Sequence, residues 1–463
     1  MAESKRVHPY IPNSVPEVKA EMLAEIGVDD IDDLYEDIPE ELRFRGRLNI
    51  PDGLTSELEL ERHVGQVLSR NQTCGETVSF LGGGCYRHYV PAICDEITGR
   101  SEFLTAYAGE PYEDHGRFQA LFEYQSLMGE LLDMDVVNVP TYDWGQAAST
   151  SIRMAGRITG RDTILIADTI APDRLKVIRT YCEPTMRIEM VGHSPTTAAL
   201  DTAELAGQLS DQVAGLYLEN PTYLGTVEER GREIADALHE NGSFLIVGVD
   251  PLSLGVLAPP SQYGADIACG DIQGLGNHAY FGGALGGFIA THDDERFVME
   301  YPSRLFGICK TERAGEWGFG DVAYGRTSFA VREQGKEFVG TAAALYGISA
   351  AVYLSLMGPH GMCELGQHIV QKSQYAMKKL SELDGVRPRF DAFHFKEFVV
   401  DCSATGRTVA EINAALLAQG IFGGHDLGAE FPELEGCALY AVTEVITRED
   451  IDRLADALRA HLG

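Results

Sequence analysis

The chain has 463 residues, a length that predicts two or three domains rather than a single core. Its formal net charge is −33, and such an acidic surface repels phosphate groups, so we expect neither nucleic acid nor an anionic membrane as a partner. The nine cysteines include no Cys-x-x-Cys pair, and the first residues contain no apolar run. Both features are typical of a reduced, cytoplasmic protein.

Residues 1–70 predict a helical N-terminal extension that is rich in acidic residues. The strings "VPEVKAEMLAEIG" and "TSELELERHVGQVLSRN" suit short helices, and the first has apolar residues at helical spacing. In "NIPDGLTSELE", turn residues precede a possible helix cap at Thr55 or Ser56. We expect this extension to pack on another surface.

Residues 71–325 predict a large α/β domain. Short apolar runs that suit buried strands alternate with helical stretches; the runs lie at 161–169, 186–192, 213–221, 243–251 and 265–271. The intervening stretch 229–242 is a helix that ends at Gly242, a residue suited to a C-terminal cap. This alternation predicts right-handed crossovers and a mostly parallel sheet that is buried on both faces.

Residues 326–463 predict a smaller α+β domain. A long helix is followed by the strands "FKEFVVDCS" and "CALYAVTEV", each with a helix after it. The apolar window 340–358 is long enough to cross a membrane, but its small and polar residues favour a buried helix.

Common catalytic motifs are missing from the sequence. It contains no phosphate-binding G-x-x-x-x-G-K-[ST], no H-E-x-x-H and no G-x-S-x-G. The stretch "GLGNHA" at 274–279 matches a loose dinucleotide pattern, but the residues after it do not open a helix. His360, Cys363 and His368 fit no common zinc spacing, so we expect no metal site.

Polar residues follow three successive predicted strands. Asn220 and Asp250 each end one strand, and the Gly-rich loop 270–283 ends a third. This order resembles the cofactor floor of fold-type I pyridoxal-phosphate enzymes. In that class, a polar residue contacts the pyridine hydroxyl, a buried Asp pairs with the ring nitrogen, and a lysine on the next loop forms the Schiff base. Alternatively, Asn220 and Asp250 satisfy only the loop backbone.

The lysine expected from that resemblance is missing. The chain has nine lysines, and none lies between Lys176 and Lys310. Because a Schiff base requires an amine, this chain by itself is expected to hold no covalently bound cofactor.

Longer strings make the resemblance more specific. Among them are "YIPNSVPEVKAEMLAEIGV", "FLGGGCYRHYVPAI", "FQALFEYQSLMGELLDMDVVN" and "VDPLSLGVLAPPSQYGADIACGDIQGLGN". The chain resembles, over nearly its whole length, the alpha subunits of the glycine cleavage P-protein family, the glycine dehydrogenases (decarboxylating).

That resemblance implies a function shared between two chains. A homologous beta subunit would carry pyridoxal phosphate, in a heterotetramer of two alpha and two beta chains. The assembly would decarboxylate glycine and pass the aminomethyl group to the lipoyl arm of H-protein. In this chain, Gln273 stands where the beta subunit has its lysine.

The sequence departs from the family pattern in three segments and one loop. The segments are 105–116, 141–147 with the bulky Trp144, and 326–343, and the loop carries His278 and Tyr280. Two alternatives to glycine cleavage therefore remain open. One is a divergent complex that acts on another small amino acid or amine, and the other is a structural or regulatory subunit that kept the fold.

Two groups of candidate site residues follow. The resemblance implies a degenerate cofactor pocket lined by Asn220, Asp250, Gln273 and His278. Aromatic residues that would face the partner or the substrate are Tyr107, Tyr86, His88 and Tyr89. For these aromatic residues, core or interface packing is an equal alternative.

Overall fold

The computed structural model describes residues 7–8, 10–46, 48–104, 116–283, 285–302, 304–337 and 343–462. The chain divides into two compact units, Met1–Asn71 and Gln72–Gly463. Within the described residues, no helix is both long enough and apolar enough to cross a membrane.

The first unit contains two α-helices, α1 (Pro16–Ile26) and α2 (Glu57–Leu68), joined by short 3₁₀ turns. Helix α1 ends at Gly27, whose φ of 87° places it in the left-handed region that glycine adopts most readily. Helix α2 begins after Ser56, whose side chain accepts a hydrogen bond from the backbone NH of Glu59. None of the described residues of this unit is buried.

The second unit carries the strands and the remaining helices. Its strands are β1 (Val78–Ser79), β2 (Val136–Val137), β3 (Thr163–Ala167), β4 (Arg187–Val191), β5 (Val213–Glu219), β6 (Phe244–Gly248), β7 (Ile267–Asp271), β8 (Gly287–Thr291), β9 (Phe306–Lys310), β10 (Trp317–Asp321), β11 (Arg387–Pro388), β12 (Glu397–Asp401), β13 (Ile421–Phe422), β14 (His425–Asp426) and β15 (Cys437–Ala441). Its helices are α3 (Ala92–Thr98), α4 (Ser101–Leu104), α5 (Gly116–Leu132), α6 (Trp144–Thr159), α7 (Pro172–Cys182), α8 (Thr202–Gln208), α9 (Gly231–Glu240), α10 (Glu295–Val298), α11 (Ser328–Val331), α12 (Ala344–Leu380), α13 (Val409–Leu417) and α14 (Arg448–Leu462).

A seven-stranded sheet forms the centre of this unit, in the order β2-β8-β7-β6-β5-β3-β4. Strands β3 to β7 run parallel, and β8 runs antiparallel to both of its neighbours. Every residue of β3, β5 and β8 is buried, which agrees with their nearly continuous apolar sequences. The predicted mostly parallel sheet is confirmed, and its parallel strands end at one common edge.

A second sheet of four antiparallel strands, in the order β11-β12-β15-β14, lies near the C-terminus. Its core includes residues of α13 and α14 and also Phe80, which the sequence analysis assigned to the large domain. The reason is that β1 pairs in parallel with β13, a strand about 340 residues later in the chain. The predicted boundary at residue 325 stays a prediction.

Helix α12 spans 37 residues and contains a kink. Gly358 has φ 59° and ψ −178°, and Pro359 follows it. Proline cannot donate the helical hydrogen bond and clashes with the preceding turn, so the break falls at this point. The sequence analysis expected a long helix in this region, and the structure shows one that is kinked.

Candidate functional site

Asp250, Asp271 and Gln273 meet at the carboxyl edge of the seven-stranded sheet. Asp250 follows β6, and its Oδ1 accepts a hydrogen bond from the backbone NH of Leu252 at 3.0 Å. Asp271 ends β7, and its Oδ1 accepts a hydrogen bond from the backbone NH of Gln273 at 3.1 Å. The carboxyl edge of such a sheet is where α/β enzymes bind their ligands.

The space between these residues is small. Its volume is about 40 Å³, whereas ligand pockets range from about 300 to 1,000 Å³. Strand ends, loops and the C-terminal sheet all contribute to its wall, which consists of Gly84, Tyr86, Trp144, Arg174, Pro221, Thr222, Tyr223, Gly225, Asp250, Pro251, Asp271, Gln273, Gly274, Phe395, Lys396 and Glu397. The remaining space suits a few water molecules rather than a cofactor.

Gln273 is buried, with 4% of its surface exposed. Its side-chain Nε2 donates a hydrogen bond to the carbonyl oxygen of Asn277 at 3.2 Å, and the Asn277 amide donates to the carbonyl of Ile272 at 3.0 Å. At the position where the resemblance places a Schiff-base lysine, this amide therefore ties the loop to itself.

A buried ion pair and two aromatic rings fill one side of the pocket. Arg174 donates from Nε and Nη2 to the two carboxylate oxygens of Glu219, at 2.6 and 2.7 Å. The guanidinium carbon lies 4.2 Å from the centre of the Trp144 ring, and Trp144 Nε1 donates to the Tyr217 hydroxyl at 3.0 Å. Trp144 begins α6 after the N-cap Asp143, so a helix start places the indole in the pocket.

Lys396 fills the opposite side. Its Nζ lies 2.7 Å from Oδ2 of Asp250 and 3.9 Å from the centre of the Tyr86 ring. Glu397, the next residue, accepts a hydrogen bond from the backbone NH of Gly83 at 2.8 Å. The lysine therefore reaches the floor of the pocket from the C-terminal sheet.

The charges around the pocket are unbalanced. Four carboxylates, those of Asp250, Asp271, Glu219 and Glu397, surround two cations, Arg174 and Lys396. Burial, helped by the neighbouring Asp250, raises the pKa of Asp271 to about 6. Burial likewise raises the pKa of Glu397 above its ordinary value. An additional phosphate would meet a net negative environment here.

Pyridoxal phosphate does not fit this set of residues. The volume is too small, the loop offers Gln273 rather than an amine, and Lys396 already neutralises Asp250. Trp144 and the Arg174–Glu219 pair occupy further space at the strand ends.

The structure does not bring all four predicted pocket residues together. Asp250 and Gln273 line the pocket, whereas the Asn220 side chain forms two hydrogen bonds with the backbone of Glu228, at 3.1 and 3.2 Å. Those bonds close the loop that follows β5, which is the alternative role raised for Asn220 in the sequence analysis. His278 is half exposed and lies 3.0 Å from Asp95, because its loop turns outward after Asn277.

The aromatic residues predicted to face a partner or substrate also lie in different surroundings. Tyr86 lines the pocket, and burial together with the nearby Glu397 carboxylate raises the pKa of its hydroxyl. His88 is buried with Nδ1 2.8 Å from Glu444, and Tyr89 is 65% exposed. Tyr107 lies outside the described residues. Their roles toward a partner stay predictions.

Two of the three divergent segments lie largely within the described residues. Segment 141–147 places Trp144 in the pocket, as described above. In segment 326–343, Glu337 pairs with Arg157 at 3.1 Å and with Arg153 at 3.3 Å, which fixes it to α6. Segment 105–116 lies almost entirely outside the described residues.

Sequence reasoning missed Lys396, Arg174 and Glu219. The ions of the pair Arg174–Glu219 are 45 residues apart, and the sequence contains no signal that joins them. Lys396 had a weak signal, since "KE" immediately precedes the apolar run of a buried strand. Charged residues at such a position need partners when the strand is buried.

The sheet order and the position of the pocket define a fold-type I pyridoxal-phosphate enzyme fold. A sphingosine-1-phosphate lyase from Burkholderia pseudomallei shares this fold, with a TM-score of 0.64 and 13% identity over 92% of this chain and 94% of that one. A crystal structure of an inhibitor-bound glycine decarboxylase (P-protein) of the glycine cleavage system has a TM-score of 0.86 and 31% identity, over 98% of this chain and 99% of that one.

The family comparison is more specific. The model of the glycine cleavage system P-protein matches residues 8–458, and the chain belongs to that family. It is 38% identical to a protein of Staphylothermus marinus named "Probable glycine dehydrogenase (decarboxylating) subunit 1", over 97% of each chain. A Pyrococcus abyssi protein of the same name is 38% identical over 97% of this chain and 98% of its own.

Proposed function

We propose that this chain is the lysine-lacking subunit of a two-chain glycine dehydrogenase (decarboxylating). Pyridoxal phosphate is bound by a homologous second subunit, and the assembly decarboxylates glycine and transfers the aminomethyl group to lipoyl H-protein. The observation that carries the proposal is the buried Gln273, which holds the loop where the resemblance places the lysine. Family membership and the name "subunit 1" of the relatives support it.

The proposed role of this chain is to complete the assembly rather than to perform the chemistry. Its own pocket is filled by side chains and contains no free amine at the strand-end loop among the described residues. We propose two copies of each subunit and a cytoplasmic location. Near-complete coverage of both sequences by the relatives named subunit 1 favours glycine cleavage over the two alternatives raised from the sequence.

Co-purification with a lysine-bearing homologue from the same genome tests this proposal. The lone chain should neither decarboxylate glycine nor exchange its carboxyl group with bicarbonate, and the pair should do both. A pair that turns over a different amino acid but not glycine would favour the divergent complex. A stable pair that turns over no substrate would favour a structural or regulatory subunit.

A further inference from the structure

The segment 393–397 connects the two sheets of the second unit. The backbone NH of Val227 donates to the carbonyl of Phe393 at 3.0 Å, and Thr226 forms an antiparallel bridge with His394. At the other end, the backbone NH of Val442, just after β15, donates to the carbonyl of Lys396 at 2.8 Å. The segment is therefore held by the C-terminal sheet and by the loop after β5.

Lys396 extends from this segment into the pocket. Only 10% of its side chain and 15% of that of Asp250 are exposed, and their charged atoms are 2.7 Å apart. The Tyr86 ring covers the ammonium at 3.9 Å, a distance typical of a cation–π contact. A buried carboxylate and an aromatic face together form a site for a primary ammonium group.

We propose that the pocket is an ammonium site whose ligand is this chain's own Lys396, and that this internal ligand fastens the C-terminal sheet to the seven-stranded sheet. Its ammonium pairs with the carboxylate of Asp250, which the resemblance assigns as the partner of a cofactor ring nitrogen. The chain then needs no small molecule to close its pocket. This inference rests on the contacts of Lys396 alone and does not depend on which reaction the assembly performs.

The proposal makes a sharp prediction for Lys396→Ala. Removal of one member of a buried pair leaves Asp250 without its cation, and we expect the melting temperature of the full chain to fall by about 3–5 °C. The substitution removes Cγ, Cδ, Cε and Nζ of the lysine, and n-propylammonium has the same three carbons and ammonium group. Added n-propylammonium should therefore restore the melting temperature in a saturable manner, whereas n-propanol should not.

Two controls accompany this experiment. Lys176→Ala removes a lysine whose side chain is 75% exposed, and we expect neither a loss of more than about 1 °C nor any rescue. Wild-type protein mixed with n-propylammonium controls for general effects of the amine, and its melting temperature should not change. A Lys396→Ala protein that melts like Lys176→Ala, or that n-propanol rescues equally well, would overturn the proposal.

A double-mutant cycle covers the case in which Lys396→Ala does not fold. Lys396→Met keeps most of the packing, and Asp250→Asn keeps the acceptor for the Leu252 backbone NH. We expect the melting temperature of the double variant to fall by less than the sum of the falls in the two single variants. Hydrogen exchange of peptides that cover 393–401 should rise in Lys396→Met and not in Lys176→Ala. Additive losses, or unchanged exchange, would contradict the proposed fastening.

Discussion

Gln273 is one of several residues that leave no room for a cofactor in this pocket. The amide donates to the carbonyl of Asn277, and Lys396 and Trp144 take up space in the same pocket. An amine at position 273 would lie beside a space of about 40 Å³. Restoring the anchor is therefore not sufficient to restore the site.

We predict that Gln273→Lys does not gain cofactor binding. Mixed with pyridoxal phosphate, the purified variant should show no visible absorbance band of an internal aldimine and no lysine modification at 273 after borohydride reduction. A matched variant that also carries Trp144→Ala and Lys396→Ala removes two of the large side chains that line the pocket. A band in the single variant would show that the pocket is less filled than the structure shows.

Asp271 provides a prediction about pH. Its ordinary pKa is 3.8 and burial raises it to about 6, so between these values the folded chain holds a proton that the unfolded chain has lost. The free energy of unfolding contributed by this group therefore falls as pH rises from about 4 to 6, and stays low above that window. Asp271→Asn lacks the titration but can still accept from the Gln273 backbone NH.

The difference in unfolding free energy between Asp271→Asn and wild type should accordingly grow from near zero below pH 4 to a plateau above pH 6. At the plateau the variant should be more stable by on the order of 3 kcal/mol. Asp173→Asn, at a carboxylate that is 91% exposed, should show no such growth. Denaturant titrations at several pH values measure both differences, and a difference that shrinks with rising pH would contradict the assignment.

Among the elements, the loop after β5 is tightly constrained by the first residue of β12, Glu397. Gly225 has φ 85°, and a Cβ built on it would lie 2.1 Å from the backbone carbonyl oxygen of Glu397. Only glycine combines this conformation with so close an approach. The close approach of this loop to Glu397, both of which line the pocket, therefore requires glycine at position 225.

We predict that Gly225→Ala destabilises the chain by about 2–5 kcal/mol, because it adds a steric clash to left-handed strain. Gly160 also has positive φ, at 69°, but an added Cβ would meet nothing within 4 Å. Gly160→Ala should therefore cost only about 1 kcal/mol. Equal losses for the two variants, measured by denaturant unfolding, would mean that the contact with Glu397 is not tight.

Much of the fold follows from local sequence patterns. Strands β3, β5 and β6 are short apolar runs with helices between them, and period and length are enough to predict them. The pairing of β1 with β13 could not be predicted, because two-residue strands carry no pattern and their partner lies hundreds of residues away. The kink in α12 was not predicted, although Pro359 is a local signal for a break in a helix.

The site residues likewise fall into those that local sequence predicts and those that depend on tertiary packing. Asp250 and the loop 270–283 were found because strand ends of a parallel sheet converge at one edge, and the family resemblance singled out Gln273 within that loop. Lys396 and Arg174 could not be found, since each enters from an element whose position depends on tertiary packing. Asn220 was placed in the pocket because a polar strand end can serve either a ligand or its own loop, and only the structure shows that it bonds the backbone of Glu228.

At the scale of the whole molecule, the chain is a member of the glycine cleavage P-protein family whose described pocket is filled by its own side chains. The chain keeps the enzyme fold over nearly the full length of its relatives, but its pocket is filled. This combination agrees with the proposed role of a subunit that completes an assembly. We expect that variants that empty the pocket, such as Lys396→Ala, affect the stability of this chain more than turnover of the assembled pair.

Glycine–bicarbonate exchange, measured for this chain alone, for a lysine-bearing homologous subunit alone and for the two together with lipoyl H-protein, tests the central claim most directly. We predict no exchange and no aldimine absorbance from this chain alone, and full exchange only when both chains are present. Exchange by this chain alone, or an aldimine band that borohydride fixes to one of its own lysines, would contradict the account.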